Sequence, residues 1–195
     1  MESRASLKWY IVDFIMQELV VLVDEKNTPI GTQTKDRVHT KTTPLHRAFS
    51  LFLFNSKKQL LITQRALNKK TFPGVWTNSV CGHVSPGEAA FDAVKRRVRD
   101  ELHMTATDIK EAAPYRYRFA DKNGIVENEI CPIFIGLTNE DPKPSKSEVE
   151  AWKWIDWNEF LKTIKEHPGT YSPWSEEEAV ILSRCHPELV SGSWE

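Results

Sequence analysis

Gly82-His83-Val84-Ser85-Pro86-Gly87-Glu88-Ala89-Ala90-Phe91-Asp92-Ala93-Val94-Lys95-Arg96-Arg97-Val98-Arg99-Asp100-Glu101-Leu102 holds the clearest periodicity of the 195-residue chain. Pro86-Gly87-Glu88 opens a helical pattern in which Ala90, Val94, Val98 and Leu102 recur every four residues. That spacing puts an apolar stripe on one face, with Arg97 and Glu101 beside it. Before it, residues 18–23 read as a strand entering a turn at Asn27-Thr28-Pro29-Ile30-Gly31. Residues 48–54 and 59–63 read as antiparallel core strands, joined at hairpin spacing by Asn55-Ser56-Lys57-Lys58. After the helix, residues 115–119, 125–137 and 150–155 read as strands, and 158–166 and 175–184 as helices. Strands and helices mix without regular alternation or internal repeat, which predicts an α+β fold. Residues 139–147, with Pro142 and Pro144, read as a polar surface loop.

Hydrophobic residues make up 40% of the chain and charged residues 27%, enough for one core. With 26 Lys and Arg against 27 Asp and Glu, the net charge of -1 supplies no bulk attraction to nucleic acid or an anionic membrane, so an anionic ligand needs a local cluster. Cys81, Cys131 and Cys185 are odd in number and widely spaced, which fits free thiols in a reducing cytosol rather than a disulfide framework. The apolar run of residues 9–23 is interrupted by Asp13 and Glu18 and lacks a cleavage site, so a cytoplasmic protein is expected. Residues 1–16 read as an N-terminal extension, 17–185 as one domain and 186–195 as a loosely held tail.

Taken by themselves, Glu88, Arg96, Arg97 and Glu101 read as i,i+4 charge pairs on a solvated helix, and each cysteine as a small buried hydrophobe. The order of residues argues otherwise. Gly82, five residues, Glu88, seven residues and then Arg96-Arg97-Val98-Arg99-Asp100-Glu101 resembles the Nudix box, a loop–helix–loop that holds divalent cations beside a diphosphate. Arg97 stands where the hydrolase pattern has Glu, Asp100 at the first of its paired carboxylates, and His103 in place of the closing glycine.

A more specific likeness flanks the box. Arg65-Ala66-Leu67-Asn68-Lys69-Lys70-Thr71-Phe72-Pro73-Gly74-Val75-Trp76-Thr77-Asn78-Ser79-Val80-Cys81-Gly82-His83 resembles the cysteine-bearing signature of the type I isopentenyl-diphosphate isomerases. Gly124-Ile125-Val126-Glu127-Asn128-Glu129 resembles the family's glutamate-bearing strand, and Tyr171-Ser172-Pro173-Trp174 its aromatic closing segment. The resemblance spans residues 17–183 and implies a Nudix-type fold, a mixed β-sheet sandwiched between α-helices, in an isomerase domain covering residues 17–185.

The resemblance also implies roles. His39, His46, His83, Glu127 and Glu129 match the family's ligands for one Mn²⁺, Mg²⁺ or Zn²⁺. This mixed nitrogen and oxygen set has none of the thiolates of a structural zinc. Cys81 and Glu129 match the catalytic pair that interconverts isopentenyl and dimethylallyl diphosphate, a step of isoprenoid biosynthesis that passes through a carbocation-like state. Tyr117 matches a tyrosine that assists proton delivery, and Trp174 a ring that shields the cation. Lys35, Arg65, Lys69 and Arg97 match positions around the diphosphate, whose Mg²⁺ would be held by Glu101 and the Cys81 carbonyl. His103, His167 and His186 match no motif position. A small-molecule isoprenoid diphosphate is thus the expected partner, and a monomer is favoured.

Two rivals remain on the residues alone. A Nudix hydrolase is supported by the Gly82–Glu101 pattern but leaves Cys81 and the glutamate pair idle. A non-catalytic binding module would tolerate the altered box yet has no use for five ligands and an acid–base pair.

Overall fold

The computed structural model describes residues 18–191, so the expectations for residues 1–17 and 192–195 lie outside it. The strand β3 (His46–Phe54) organises the molecule. Its sequence HRAFSLFLF is almost continuously apolar because both faces are covered. Phe49, Leu51 and Leu53 face one core, and Phe52 and Phe54 the other. The first core is closed by helix α2 (Ala90–Arg97) through Val94, and by the wider π-helical turn that follows, Val98–Leu102, through Val98 and Leu102. The second is closed by α3 (Trp157–Glu166), through Trp157 and Phe160, and by α4 (Pro173–Cys185), through Ala179 and Leu182. A mixed sheet between helices results, as expected.

The two ends of β3 have different neighbours. At its start, Leu22 of β1 (Leu19–Val23) pairs antiparallel with His46, and β9 (Val126–Ile130) runs parallel, with Glu129 beside His46. Further along, β6 (Val80–His83) pairs antiparallel with Ala48 to Leu51, while β10 (Ile133–Leu137) runs parallel beside Ser50 to Phe54. The hairpin to β4 (Gln59–Arg65) closes at Phe54 and Leu60, and β4 carries β11 (Val149–Asp156) and β5 (Trp76–Thr77). The strand β8 (Arg116–Ala120) pairs antiparallel with β9 and sets Tyr117 opposite Glu129.

Several elements differ from the sequence reading. Pro29–Thr34 is a strand, β2, rather than a turn; it lies exposed along β1, where no buried face imposes alternation. Thr107–Ala113 is also a strand, β7, paired with β10. Residues 125–137 are two strands, parted at Cys131-Pro132 because proline cannot continue a ladder. The helix expected from Pro86 starts at Ala90. The tail was expected to be loosely held, but Pro187–Ser191 forms a short helix, α5, whose Leu189 is buried in the second core. His186 also bonds the carboxylate of Glu188 at 2.8 Å.

Candidate active site

Strand register assembles the site. His46 on β3 lies beside Glu129 on β9, Ala48 beside His83 on β6, and Tyr117 on β8 opposite Glu129. Because Glu127 and Glu129 are two apart on one strand, both side chains point the same way. His39 joins them from just after the single-turn helix α1 (Lys35–Val38). One ligand atom from each of His39, His46, His83, Glu127 and Glu129 lies within 4.8 Å of the others, and all five residues are buried.

The contacts inside this cluster are those of donors aimed at a common point. His39 Nε2 lies 2.8 Å from Glu127 Oε2, yet neither atom completes a hydrogen bond of good geometry. His46 Nε2 and His83 Nε2 lie 3.3 and 3.2 Å from the same oxygen, Glu129 Oε1. Outer contacts fix the orientation. His46 Nδ1 lies 2.9 Å from the Pro44 carbonyl, to which it donates in the tautomer that leaves the Nε2 lone pair facing inward. The Thr71 hydroxyl donates to Glu127 Oε1, and the Tyr117 hydroxyl donates to Glu129 Oε2 at 2.5 Å.

Protonation supports the same use. Burial, with His46 and His39 adding to it, pushes His83 down to about 4, so the imidazole is neutral near pH 7. Burial alone would raise Glu129, but the His46 and His83 imidazoles beside it outweigh burial and hold the carboxyl well below the usual range. Three imidazoles and two carboxylates with orphaned inward atoms are a donor set that fits a divalent metal.

Cys81 sits on β6 two residues before His83. Its Sγ donates to Asn78 Oδ1 at 3.1 Å and lies 3.3 Å from Ser50 Oγ. Burial, reinforced by the carboxylate of Glu178, pushes the thiol up to about 12. Tyr117 stacks on Trp174 with ring centroids 5.7 Å apart, Phe72 meets Trp174 edge-on at 5.0 Å, and the Arg65 guanidinium lies 5.6 Å above the Trp174 ring.

One cavity of about 520 Å³ is walled by Tyr117 and Trp174, by Cys81 and the glutamates, and at its other end by Lys35, Lys69 and Arg97. The cations at that end are already paired. Lys35 contacts Glu18 at 2.8 Å, Lys69 contacts Glu148, and Arg97 meets Glu101, Glu18 and Glu148 at 2.5, 3.4 and 3.2 Å. Arg97 and Glu101 are 7% and 6% exposed, so they are not a solvated surface pair. Gly82 permits the packing: a Cβ there would lie 3.1 Å from Arg97 Cγ and Nε. Glu88 has a different use. It receives both Nε and Nη2 of Arg96 at 2.7 Å and the Ser85 amide, which locks the loop before α2. His103 takes the left-handed conformation (φ 51°) that the closing glycine of a box would supply.

Of the residues picked out from the sequence, all but Glu101 and His46 line the cavity. Those two stand directly behind it, Glu101 under Arg97 and His46 beside Glu129. Glu18, Ser50, Thr71, Asn78, Glu148 and Glu178 were not picked out. Thr71 and Asn78 lie inside the quoted cysteine-bearing stretch, which was a signal available to find them. Nothing in the local pattern marks the other four.

Comparison with known proteins gives a consistent answer. The NUDIX domain family model matches residues 44–175. A protein of Kocuria rhizophila named isopentenyl-diphosphate Delta-isomerase is 44% identical over 158 residues, covering 80% of this chain and 88% of its own. Proteins of the same name from Mycolicibacterium vanbaalenii and Salmonella heidelberg are 45% and 46% identical, covering 85% and 81% of this chain and 91% and 88% of theirs. Among solved structures, DR0079 from Deinococcus radiodurans superposes with a TM-score of 0.66 at 21% identity, covering 87% of this chain and 99% of that one. A MutT protein from Methanosarcina mazei reaches 0.60 at 22%, covering 72% and 94%. These structural likenesses establish the fold.

Proposed function

This chain belongs to the isopentenyl-diphosphate Delta-isomerase family of NUDIX-domain proteins, and from that membership we propose that Cys81 and Glu129 are its acid–base pair. The enzyme interconverts isopentenyl and dimethylallyl diphosphate in isoprenoid biosynthesis. The observation that carries the assignment of roles is that a protonated thiol and an ionised, tyrosine-bonded glutamate line one cavity whose far end holds Lys35, Lys69 and Arg97.

The alkene of the substrate is unactivated, so the shift needs a proton delivered to the terminal carbon and another removed from C2. Cys81 and Glu129 would do this from opposite faces of the bound chain, each already in the protonation state that one half of the exchange requires. Tyr117, through its bond to Glu129 Oε2, keeps that carboxylate turned toward the cavity and supplies a proton path to it. Trp174, held edge-on by Phe72, would exclude water from the developing cation; a cation–π contact adds about 0.5–2 kcal/mol, too little to carry the reaction. His39, His46, His83, Glu127 and Glu129 would hold one divalent ion, Mn²⁺, Mg²⁺ or Zn²⁺, which when bound supplies positive charge that fixes Glu129 and tunes its proton affinity.

At the other end, Lys35, Lys69 and Arg97 would take the diphosphate together with Arg65. Both Arg97 contacts to Glu101 fall on Oε1, which leaves Oε2 for the substrate's Mg²⁺, together with the Cys81 carbonyl. Burial, with Glu148 beside it, raises the Glu101 carboxyl, as expected where carboxylates have room for more positive charge. No helix among the described residues is long and apolar enough to cross a membrane. The free thiols support a cytoplasmic enzyme, and we favour a monomer.

Incubation with isopentenyl diphosphate in deuterated water tests the reading. Deuterium in the allylic product is expected, whereas phosphate release without isomerisation would favour a hydrolase.

A further inference from the structure

Of the three carboxylates that pair with the cations at the diphosphate end, Glu18, Glu101 and Glu148, only Glu18 lines the cavity itself. Glu101 is buried under Arg97, and Glu148 sets a single oxygen, Oε2, against both Lys69 and Arg97. Glu18 divides its oxygens. Oε2 contacts Lys35 Nζ at 2.8 Å and Oε1 contacts Arg97 Nη1 at 3.4 Å, so one carboxylate bridges cations from two elements, α1 and α2. Two oxygens of a phosphate group would bridge the same pair. The Glu18 side chain is also the most exposed of the three, at 32% against 21% for Glu148 and 8% for Glu101.

Backbone pairing holds Glu18 at this place. The Lys35 amide donates to the Glu18 carbonyl at 2.8 Å, and the next residue, Leu19, is the register partner of Thr34. Release of the carboxylate therefore needs rotation about side-chain bonds and no shift of β1. Its contact to Arg97 is the longest of the five ion pairs in the cluster, and Coulomb attraction falls with distance.

We propose that Glu18 is a gate for metal selectivity: its carboxylate occupies the anion position between Lys35 and Arg97, yields it to a diphosphate carrying a divalent cation, and turns away the same anion without one. The inference rests on the reading that this end takes a diphosphate. A metal-free diphosphate must displace Glu18 and then lie beside a carboxylate that has lost its partners, and like charges in close contact oppose binding. A diphosphate that chelates Mg²⁺ brings positive charge of its own. That charge offsets the displaced carboxylate as Lys35 and Arg97 pass to the phosphate oxygens. Anions that carry no metal are turned away on the same ground, which keeps the cations available between turnovers.

Calorimetric titration with inorganic pyrophosphate, first without added metal and then with excess Mg²⁺, tests the gate. Glu18→Gln keeps the shape of the side chain and removes its charge. It should bind pyrophosphate about tenfold more tightly than the wild type without metal, and within about threefold of it with Mg²⁺. The histidine site is in the same state in variant and wild type under each condition, so it cancels from the comparison. Glu18→Ala should show the same change, and decides the matter if Glu18→Gln does not fold. A merely structural role would move both affinities together. An equal change in the two conditions, or no gain without metal, overturns the gate and leaves the isomerase reading intact. A wild-type protein that binds pyrophosphate in neither condition overturns the diphosphate reading of this end, and the gate with it.

Discussion

The two ends of the cavity are both buried and both dense with charge, yet they solve the problem of burial in opposite ways. At the histidine end, inward atoms of three imidazoles and two carboxylates crowd together and several complete no hydrogen bond. At the Arg97 end, three cations are matched by Glu18, Glu101 and Glu148 in closed ion pairs. Unpaired donors converging on a point are a site preorganised for a small ion. Paired cations cannot grip a diphosphate without giving up their carboxylates, so that end favours an anion arriving with a metal of its own, which the released carboxylates can take. On the proposed reading the contrast would account for the altered box: Arg97 in place of a glutamate brings a cation, paired with Glu18, Glu101 and Glu148, into an otherwise acidic patch.

The contrast is broken most completely at its shared middle. Cys81→Ala or Glu129→Gln should reduce turnover by at least about 10³-fold, within the range expected for loss of an acid–base group, with circular dichroism showing an intact fold. Full activity in either variant would remove the pair from its assigned role.

Stability should distinguish the two ends. Arg97→Ala leaves the deeply buried Glu101 without its ion pair and removes one cation each from Glu18 and Glu148, and should destabilise the metal-free protein by about 3–5 kcal/mol in a denaturant titration. Glu127→Gln, at the unpaired end, should leave metal-free stability nearly unchanged and instead abolish most of the rise in thermal midpoint that added Mn²⁺ produces. Equal losses in the metal-free state would mean that the histidine cluster is an ordinary polar core. A subtler probe is Thr71→Val, which removes only the hydroxyl bonded to Glu127 and should weaken Mn²⁺ binding by about 10- to 100-fold, measured by calorimetry.

How much of this was legible follows the same division. The histidine end is legible because His83, Glu127 and Glu129 lie in the quoted signature stretches and strand alternation puts the two glutamates on one face, although His46 reaches Glu129 only through the pairing of strands far apart in sequence. The apolar stripe of α2 and the runs that became β3 and β4 were readable as well, because their faces are buried. Exposed β2 and the charged β7 gave no such signal. At the Arg97 end, the partners Glu18 and Glu148 lie 79 and 51 residues from Arg97. A lone glutamate on a strand end or loop looks like any solvated charge. Glu178, in the run Glu176-Glu177-Glu178, looked like the most solvated of all, and only packing reveals that its third member turns inward.

The smallest effect belongs to the one part of the box that the cavity does not use. Glu88 and Arg96 form a bidentate pair away from both clusters, and it anchors the loop that precedes α2. Partly exposed pairs are screened by water, so a double-mutant cycle with Glu88→Gln and Arg96→Gln should yield below about 1 kcal/mol of coupling. The bond from Arg96, leading over burial and aided by the Ser85 amide, lowers the Glu88 carboxyl below the usual glutamate value of 4.5. A folded-state value below the unfolded one means that the coupling is fully present above pH 4.5 and fades as the pH falls through the lowered value. Turnover should be unaffected by either substitution. A large loss of kcat in Glu88→Gln would mean that this glutamate still serves the diphosphate, as a hydrolase box would require, and would undo the separation of the two roles.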